Sequence, residues 1–582
     1  MVYECNALLA IPLCCASSAF DTGFRWLTYF DLKALNMKIY HIILSALIAA
    51  PFALQAQTPE VWQPDCGDGT YVNPIIHADY SDPDVCAVGD DFYMTASSFA
   101  CSPGVPILHS RDLVNWRIVN YALPALEPVE FYDAAPRHGK GVWAPCIRYH
   151  NGEYYIFWGD PDFGIFMVKT ADPRGRWSKP VQVKAGKGMI DPTPLWDADG
   201  KAYLAHAWAA SRSRFNSVIT LWEMEPDGTA LIGNPTMIYD GNDGVNHTVE
   251  GPKLYRRGDY YYIFAPAGGV ATGWQLVLRS KNIYGPYESR IVMAQGDTDI
   301  NGPHQGALVD NPAGESWFVH FQDKGLYGRV VHLNPVRWAD GWPVIGTDDD
   351  GDGCGEPVAR YRKPAVASSA ASDVDGDKFG LFQWSGNYQP MFGFPASDGT
   401  MRIYSHNVSP EFVNMWEVPN MYLHKFPAEE FVFTSKVRVS AKSTDAGSLS
   451  GLIVMGYDYS ALAVQKRGDK FVLLQVECSD AEHGGEQAET VVVQLDPTRE
   501  YAAGLHPNSE ITLYLRVSVR PGGECAFSYS ADGKKFRSVG TPFTAKEGKW
   551  IGAKVGFFST APSAADRAWI DILDFKFDKN KK

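Results

Sequence analysis

Between residues 82 and 322 one pattern of apolar and polar positions returns five times. Its clearest copy runs Val249-Glu250-Gly251-Pro252-Lys253-Leu254-Tyr255, then the polar Arg256-Arg257-Gly258-Asp259, then Tyr260-Tyr261-Tyr262-Ile263-Phe264. A short strand-forming run, a polar turn with a glycine and a second run of aromatic and β-branched residues predict a β-hairpin. The other copies set Asp84-Val85-Cys86 before Phe92-Tyr93-Met94 and Cys146-Ile147-Arg148 before Tyr154-Tyr155-Ile156. Pro194-Leu195-Trp196 then precedes Ala202-Tyr203-Leu204, and Ala307-Leu308-Val309 precedes Trp317-Phe318-Val319. Just upstream of the hairpins stand Asp82, Ala144, Asp191, Glu250 and His304, at intervals of 62, 47, 59 and 54 residues. Each interval holds one four-stranded blade with its loops, so the spacing predicts a five-bladed β-propeller over residues 68–363.

After Pro364 the small residues of 365–372 read as a linker. From residue 379 to 578 period-two alternation resumes, as in Phe431-Val432-Phe433-Thr434-Ser435-Lys436-Val437 and Ile511-Thr512-Leu513-Tyr514-Leu515. Such strands without helical periodicity predict a second all-β domain, a two-sheet sandwich. The length of 582 residues, too great for one core, agrees with two domains.

The net charge of −15 changes the picture by exclusion, because phosphate backbones demand basic patches and nucleic acid is therefore not the partner. Near the N-terminus, residues 1–36 show no targeting pattern, whereas Met37 and Lys38 followed by the mostly apolar 42–54 and Ala53-Leu54-Gln55-Ala56 resemble a cleavable leader. Residues 1–36 thus read as an extension ahead of the true start and 37–56 as a signal peptide. The expected product is exported to the periplasm or medium and has no membrane anchor after cleavage. Seven cysteines follow position 57, an odd number without a CxxC pair. They define neither a zinc site nor a disulfide framework, although Cys66 could pair with Cys86 or Cys101.

Asp82, Asp191 and Glu250 carry the candidate chemistry. At the starts of the innermost strands of three blades, they would face one funnel. Crowded, partly desolvated carboxylates cost free energy, so a fold gains nothing structural by gathering three. Hydrolysis of a glycosidic bond needs one carboxylic acid to protonate the leaving oxygen and another to act on water or carbon, and a third carboxylate can tune the acid. A sugar-binding, lectin-like propeller is the alternative, and it has no need of a clustered acid triad.

Tyr80-Ser81-Asp82-Pro83-Asp84-Val85, Gly188-Met189-Ile190-Asp191-Pro192 and Glu250-Gly251-Pro252-Lys253-Leu254-Tyr255 resemble the three signature motifs of glycoside hydrolase family 43. The resemblance spans the propeller, and residues 379–578 are similar to the concanavalin A-like sandwich that follows it in β-xylosidase-type members. It implies an inverting exo-glycosidase acting on arabinose- or xylose-containing oligosaccharides or polysaccharides without an organic cofactor. In that reading Asp82 is the general base, with Asp84 its nearest competitor, Glu250 the general acid and Asp191 the pKa modulator. His304 matches a position at the pocket base that approaches a metal through water, and Arg329 one that contacts sugar hydroxyls. Trp143 and Phe99 are further candidates for the pocket wall. One departure is Ser98-Phe99-Ala100-Cys101-Ser102-Pro103, which lacks the bulky aromatic that xylosidases place there. It makes an α-L-arabinofuranosidase, or mixed specificity, as well founded as a β-xylosidase.

The run Asp348-Asp349-Asp350-Gly351-Asp352-Gly353 imitates a calcium-binding EF-hand loop at its first, third, fifth and sixth places. Its twelfth residue is Ala359 rather than glutamate, so a structural calcium site and a solvated turn both remain open. The segment Asp373-Val374-Asp375-Gly376-Asp377 is equally ambiguous.

Overall fold

The computed structural model describes residues 61–580, except 243, 366–379, 441–446, 469, 496–508 and 564–567. The leader reading at 37–56, the linker beyond Ala365 and the acidic segment 373–377 therefore lie outside the described residues.

Five four-stranded antiparallel sheets follow one another along the chain, each with its strands in sequence order. Their innermost strands are Asp84–Val88, Trp143–His150, Met189–Trp196, Lys253–Arg257 and His304–Asp310. The second strands, and the N-terminal parts of most innermost strands, are buried because neighbouring blades cover both faces. Five apolar clusters fill the gaps between blades. One joins Val85 and Phe92 of the first blade to Ala307 and Trp317 of the fifth, and another joins Tyr262 and Phe264 of the fourth to Leu308 and Phe318 of the fifth. The ring of blades is clasped by a separate antiparallel pair, Thr70–Val72 with Arg360–Arg362. Asn73 strengthens the clasp by donating Nδ2 to the carbonyls of Leu333 and Val358.

The C-terminal domain is a sandwich of a seven-stranded and an eight-stranded sheet, with Gln383–Trp384 and Trp569–Asp578 among its first and last strands. Phe431–Ser440 and Glu510–Val519 alternate buried with half-exposed positions, as one face against a core requires. That core gathers Phe433, Leu452, Phe471, Leu515, Phe527 and Phe557. The sandwich also packs on the propeller. Ser102 and Trp384 exchange backbone hydrogen bonds, the Leu126 N–H donates to Asn387 Oδ1, and the Ala553 N–H donates to the Leu326 carbonyl. The half-buried Lys425 reaches the Asp79 carbonyl and lies over the Tyr80 ring at 3.8 Å.

All seven cysteines after position 57 are free, so neither pairing open to Cys66 forms. Among the described residues no helix is long and apolar enough to cross a membrane.

Candidate active site

At the start of each innermost strand the backbone leaves its extended path. Asp82, Ala144, Asp191, Gly251 and Gln305 adopt φ of 57°, 41°, 57°, 58° and 33°. The strand ladder slips at three of these points, between Trp143 and Cys146, Ile190 and Thr193, and His304 and Ala307. A bulge of this kind re-aims a side chain out of the regular pleat. The five bends correct the repeat register read above. Glu250 and His304 stand one residue ahead of the equivalent position, which Gly251 and Gln305 occupy. Asp82 and Asp191 are thus repeat equivalents, while Glu250 precedes its bend. Glycine suits position 251, because a Cβ there would lie 2.8 Å from the Gln305 side chain in addition to the left-handed φ.

Asp82 is held by hydroxyls. Its Oδ2 accepts from Ser81 Oγ at 2.7 Å and from Ser97 Oγ at 2.5 Å. Ser97 Oγ in turn accepts from the Ala144 N–H of the second blade at 2.7 Å, so the base candidate is tied across a blade boundary. Asp191 is only 4% exposed, and its Oδ2 accepts from the Gly251 N–H at 2.8 Å. Burial pushes the Asp191 carboxyl up to about 8, and the negative charges of Glu250 and then Asp82 push the same way, against weaker pulls from the Gly251 N–H and Lys253. The three carboxylates therefore share one electrostatic site, where at least one proton is retained near neutrality. The Glu250 side chain is 33% exposed and its Oε1 lies 3.1 Å from Nε2 of the buried His304.

Asp84 does not compete for the base role. It is fully buried, its Oδ2 accepts from Arg148 Nη1 and the Ile147 N–H, each at 2.7 Å, and the equally buried Lys253 Nζ lies 3.8 Å from Oδ1. Asp84 and Lys253 are fully buried and Arg148 is only 14% exposed, so the Asp84 carboxylate is walled in by cations beside the innermost strands.

The rim is aromatic and basic. Phe99 is buried, with its ring edge-on to half-buried Trp143 at 6.4 Å, so it backs the wall rather than facing solvent. Arg329 Nη1 accepts nothing and donates to Ser81 Oγ at 2.8 Å, 3.9 Å from Asp82 Oδ1, which makes it a brace for the base candidate as well as a neighbour of the mouth. Sequence reasoning missed Trp550. This sandwich residue is 50% exposed, lies edge-on to Trp143 at 6.4 Å and sits 5.9 Å from the Arg329 guanidinium carbon. The second domain therefore lends a loop to the mouth. A large aromatic flanked by glycines in Gly548-Lys549-Trp550-Ile551-Gly552 was the available signal, but no local pattern ties it to a funnel more than two hundred residues upstream.

Among the described residues His304 belongs to no cluster of metal-ligating side chains; the one such cluster is Asp348, Asp350 and Asp352.

The model of glycosyl hydrolases family 43 matches residues 71–343, and the model of the beta xylosidase C-terminal concanavalin A-like domain matches residues 373–578. A putative beta-xylosidase of Xylanibacter ruminicola is 36% identical over 85% of this chain and 87% of its own length. The non-reducing end alpha-L-arabinofuranosidase BoGH43B of Bacteroides ovatus is 30% identical over 71% of this chain and 79% of its own. The crystal structure of the GH43 protein BlXynB from Bacillus licheniformis shares the fold with a TM-score of 0.71 at 24% identity, covering 88% of this chain and all of that one.

Proposed function

The chain belongs to glycosyl hydrolases family 43, and from that premise we propose that it is an exo-acting, inverting glycosidase releasing xylose or arabinose from the non-reducing ends of glycans. One observation carries the reading: Asp191 is buried beside Glu250 and Asp82 and feels both charges. In this mechanism Asp82 takes a proton from water as its oxygen attacks the anomeric carbon, while Glu250 gives its proton to the departing glycosidic oxygen. Asp191 remains beside the acid and keeps a proton available to the group. His304 holds the Glu250 carboxyl through the 3.1 Å contact, and the Ser81 and Ser97 hydroxyls fix the base. Trp143 and the half-exposed Trp550 offer ring surfaces on which a sugar can pack. The relatives' names span β-xylosidase and arabinofuranosidase, so the two pentoses remain together in this proposal.

The stereochemical test is proton NMR of the first sugar released from xylobiose or an arabinoxylo-oligosaccharide. The expected first product has the anomeric configuration opposite to that of the substrate. Initial release of the retained anomer would overturn the inverting assignment, and binding without turnover would favour the lectin alternative.

Trp550→Ala gives a separate expectation. Its ring stands at the mouth and not at the carboxylates, so KM should rise roughly tenfold with little change in kcat, a loss of uniform binding of about 1.4 kcal/mol. Unaltered KM on oligosaccharides would remove Trp550 from the binding surface.

A further inference from the structure

The loop 346–356 leaves the outermost strand of the fifth blade, Trp342–Ile345, and brings ligand oxygens of Asp348, Asp350 and Asp352 within 4.8 Å of one another. Two of these acids shape the turn: Asp350 Oδ1 accepts from the Asp352 N–H and Asp352 Oδ1 from the Cys354 N–H. Asp348 differs, because its side chain is only 4% exposed. Its Oδ2 meets Arg337 Nη2 at 3.1 Å, whereas Oδ1 is buried with no hydrogen-bond donor among the described residues. A buried carboxylate oxygen without a partner carries a desolvation penalty, which a bound cation would remove.

We propose that this loop is a divalent-cation site of the calcium type, with Asp348, Asp350 and Asp352 as its protein ligands. Anionic oxygen donors in an irregular loop suit calcium, which accepts six to eight oxygens in flexible geometry, better than magnesium, which demands a near-ideal octahedron. With Ala359 where a bidentate glutamate would stand, water completes the coordination and the affinity falls in the weaker part of the calcium range.

The location gives the ion a structural role. Gly355 bridges Met293 of the fourth blade, Glu356 bridges Thr347, and the chain then runs into Arg360–Arg362 of the clasp that closes the ring. A cation in the loop stiffens the segment that joins the last two blades to the clasp.

Equilibrium dialysis of the full chain against calcium chloride, with magnesium chloride as control, tests this directly. One calcium per chain is expected, together with a rise in Tm that magnesium does not reproduce. Asp350→Asn and Asp352→Asn, both at exposed positions, should each weaken binding roughly tenfold while leaving circular dichroism and glycosidase turnover unchanged. No bound calcium at millimolar concentration would overturn the proposal. Undiminished binding in both variants would overturn it too, because the ion would then sit elsewhere.

Discussion

Replacing Glu250 by glutamine is expected to lower kcat/KM on an unactivated pentose oligosaccharide by about 10²–10⁴-fold, the usual contribution of a positioned general acid. Glutamine preserves the size of the side chain and can still meet His304 Nε2, now 3.1 Å from Glu250 Oε1, so the loss reports on the missing proton and not on a collapsed pocket. An aryl glycoside with a good leaving group departs without protonation and should lose far less. The same variant should also flatten the alkaline limb of the pH profile, since that limb follows loss of the proton that the acid donates. Equal losses on both substrates would show that Glu250 positions the sugar and does not protonate the leaving oxygen.

Asp191→Asn should separate activity from stability. Turnover is expected to fall about 10²-fold or more, because the proposed mechanism loses the buried carboxyl that sits beside Glu250 and Asp82. Stability should move the other way. The native carboxyl is pushed up to about 8 from an ordinary value of 3.8, chiefly by burial and then by Glu250 and Asp82. In the window between those values the unfolded chain has released the proton that the native state still binds, so wild-type stability falls as pH rises through it. Asparagine carries no titrating group, and the variant should gain on the wild type as pH increases. Melting curves at about pH 5 and about pH 8 check this; parallel curves would mean that Asp191 does not carry the buried proton.

Much of the fold was legible because its signals are local. Hairpins such as Tyr260-Tyr261-Tyr262-Ile263-Phe264 after a polar turn recur at blade spacing, and the strands of Phe431–Ser440 and Glu510–Val519 show the period-two alternation of a sandwich. The grouping of Asp82, Asp191 and Glu250 was legible through their three motifs, whereas the repeat spacing by itself set Glu250 one residue out of register. The misaligned register of Glu250 has a visible cause. Asp82, Ala144, Asp191 and Gly251 all precede a proline, and that column aligns Gly251, not Glu250, with the bends. What sequence could not reveal is burial and long-range approach. Asp84 lies two residues from Asp82 and has the same chemistry, yet only the positions of Arg148 and Lys253 show that it is sealed from substrate. Trp550 reaches Trp143 from the other domain, a contact set by how sheets dock and not by any pattern near either residue.

The cluster of Asp84, Lys253 and the slightly exposed Arg148 puts side chains, not open space, beside the innermost strands. A freed monosaccharide is therefore expected to leave by the mouth it entered, past Trp143 and Trp550. Added free pentose should then slow turnover, which progress curves with monosaccharide present from the start check.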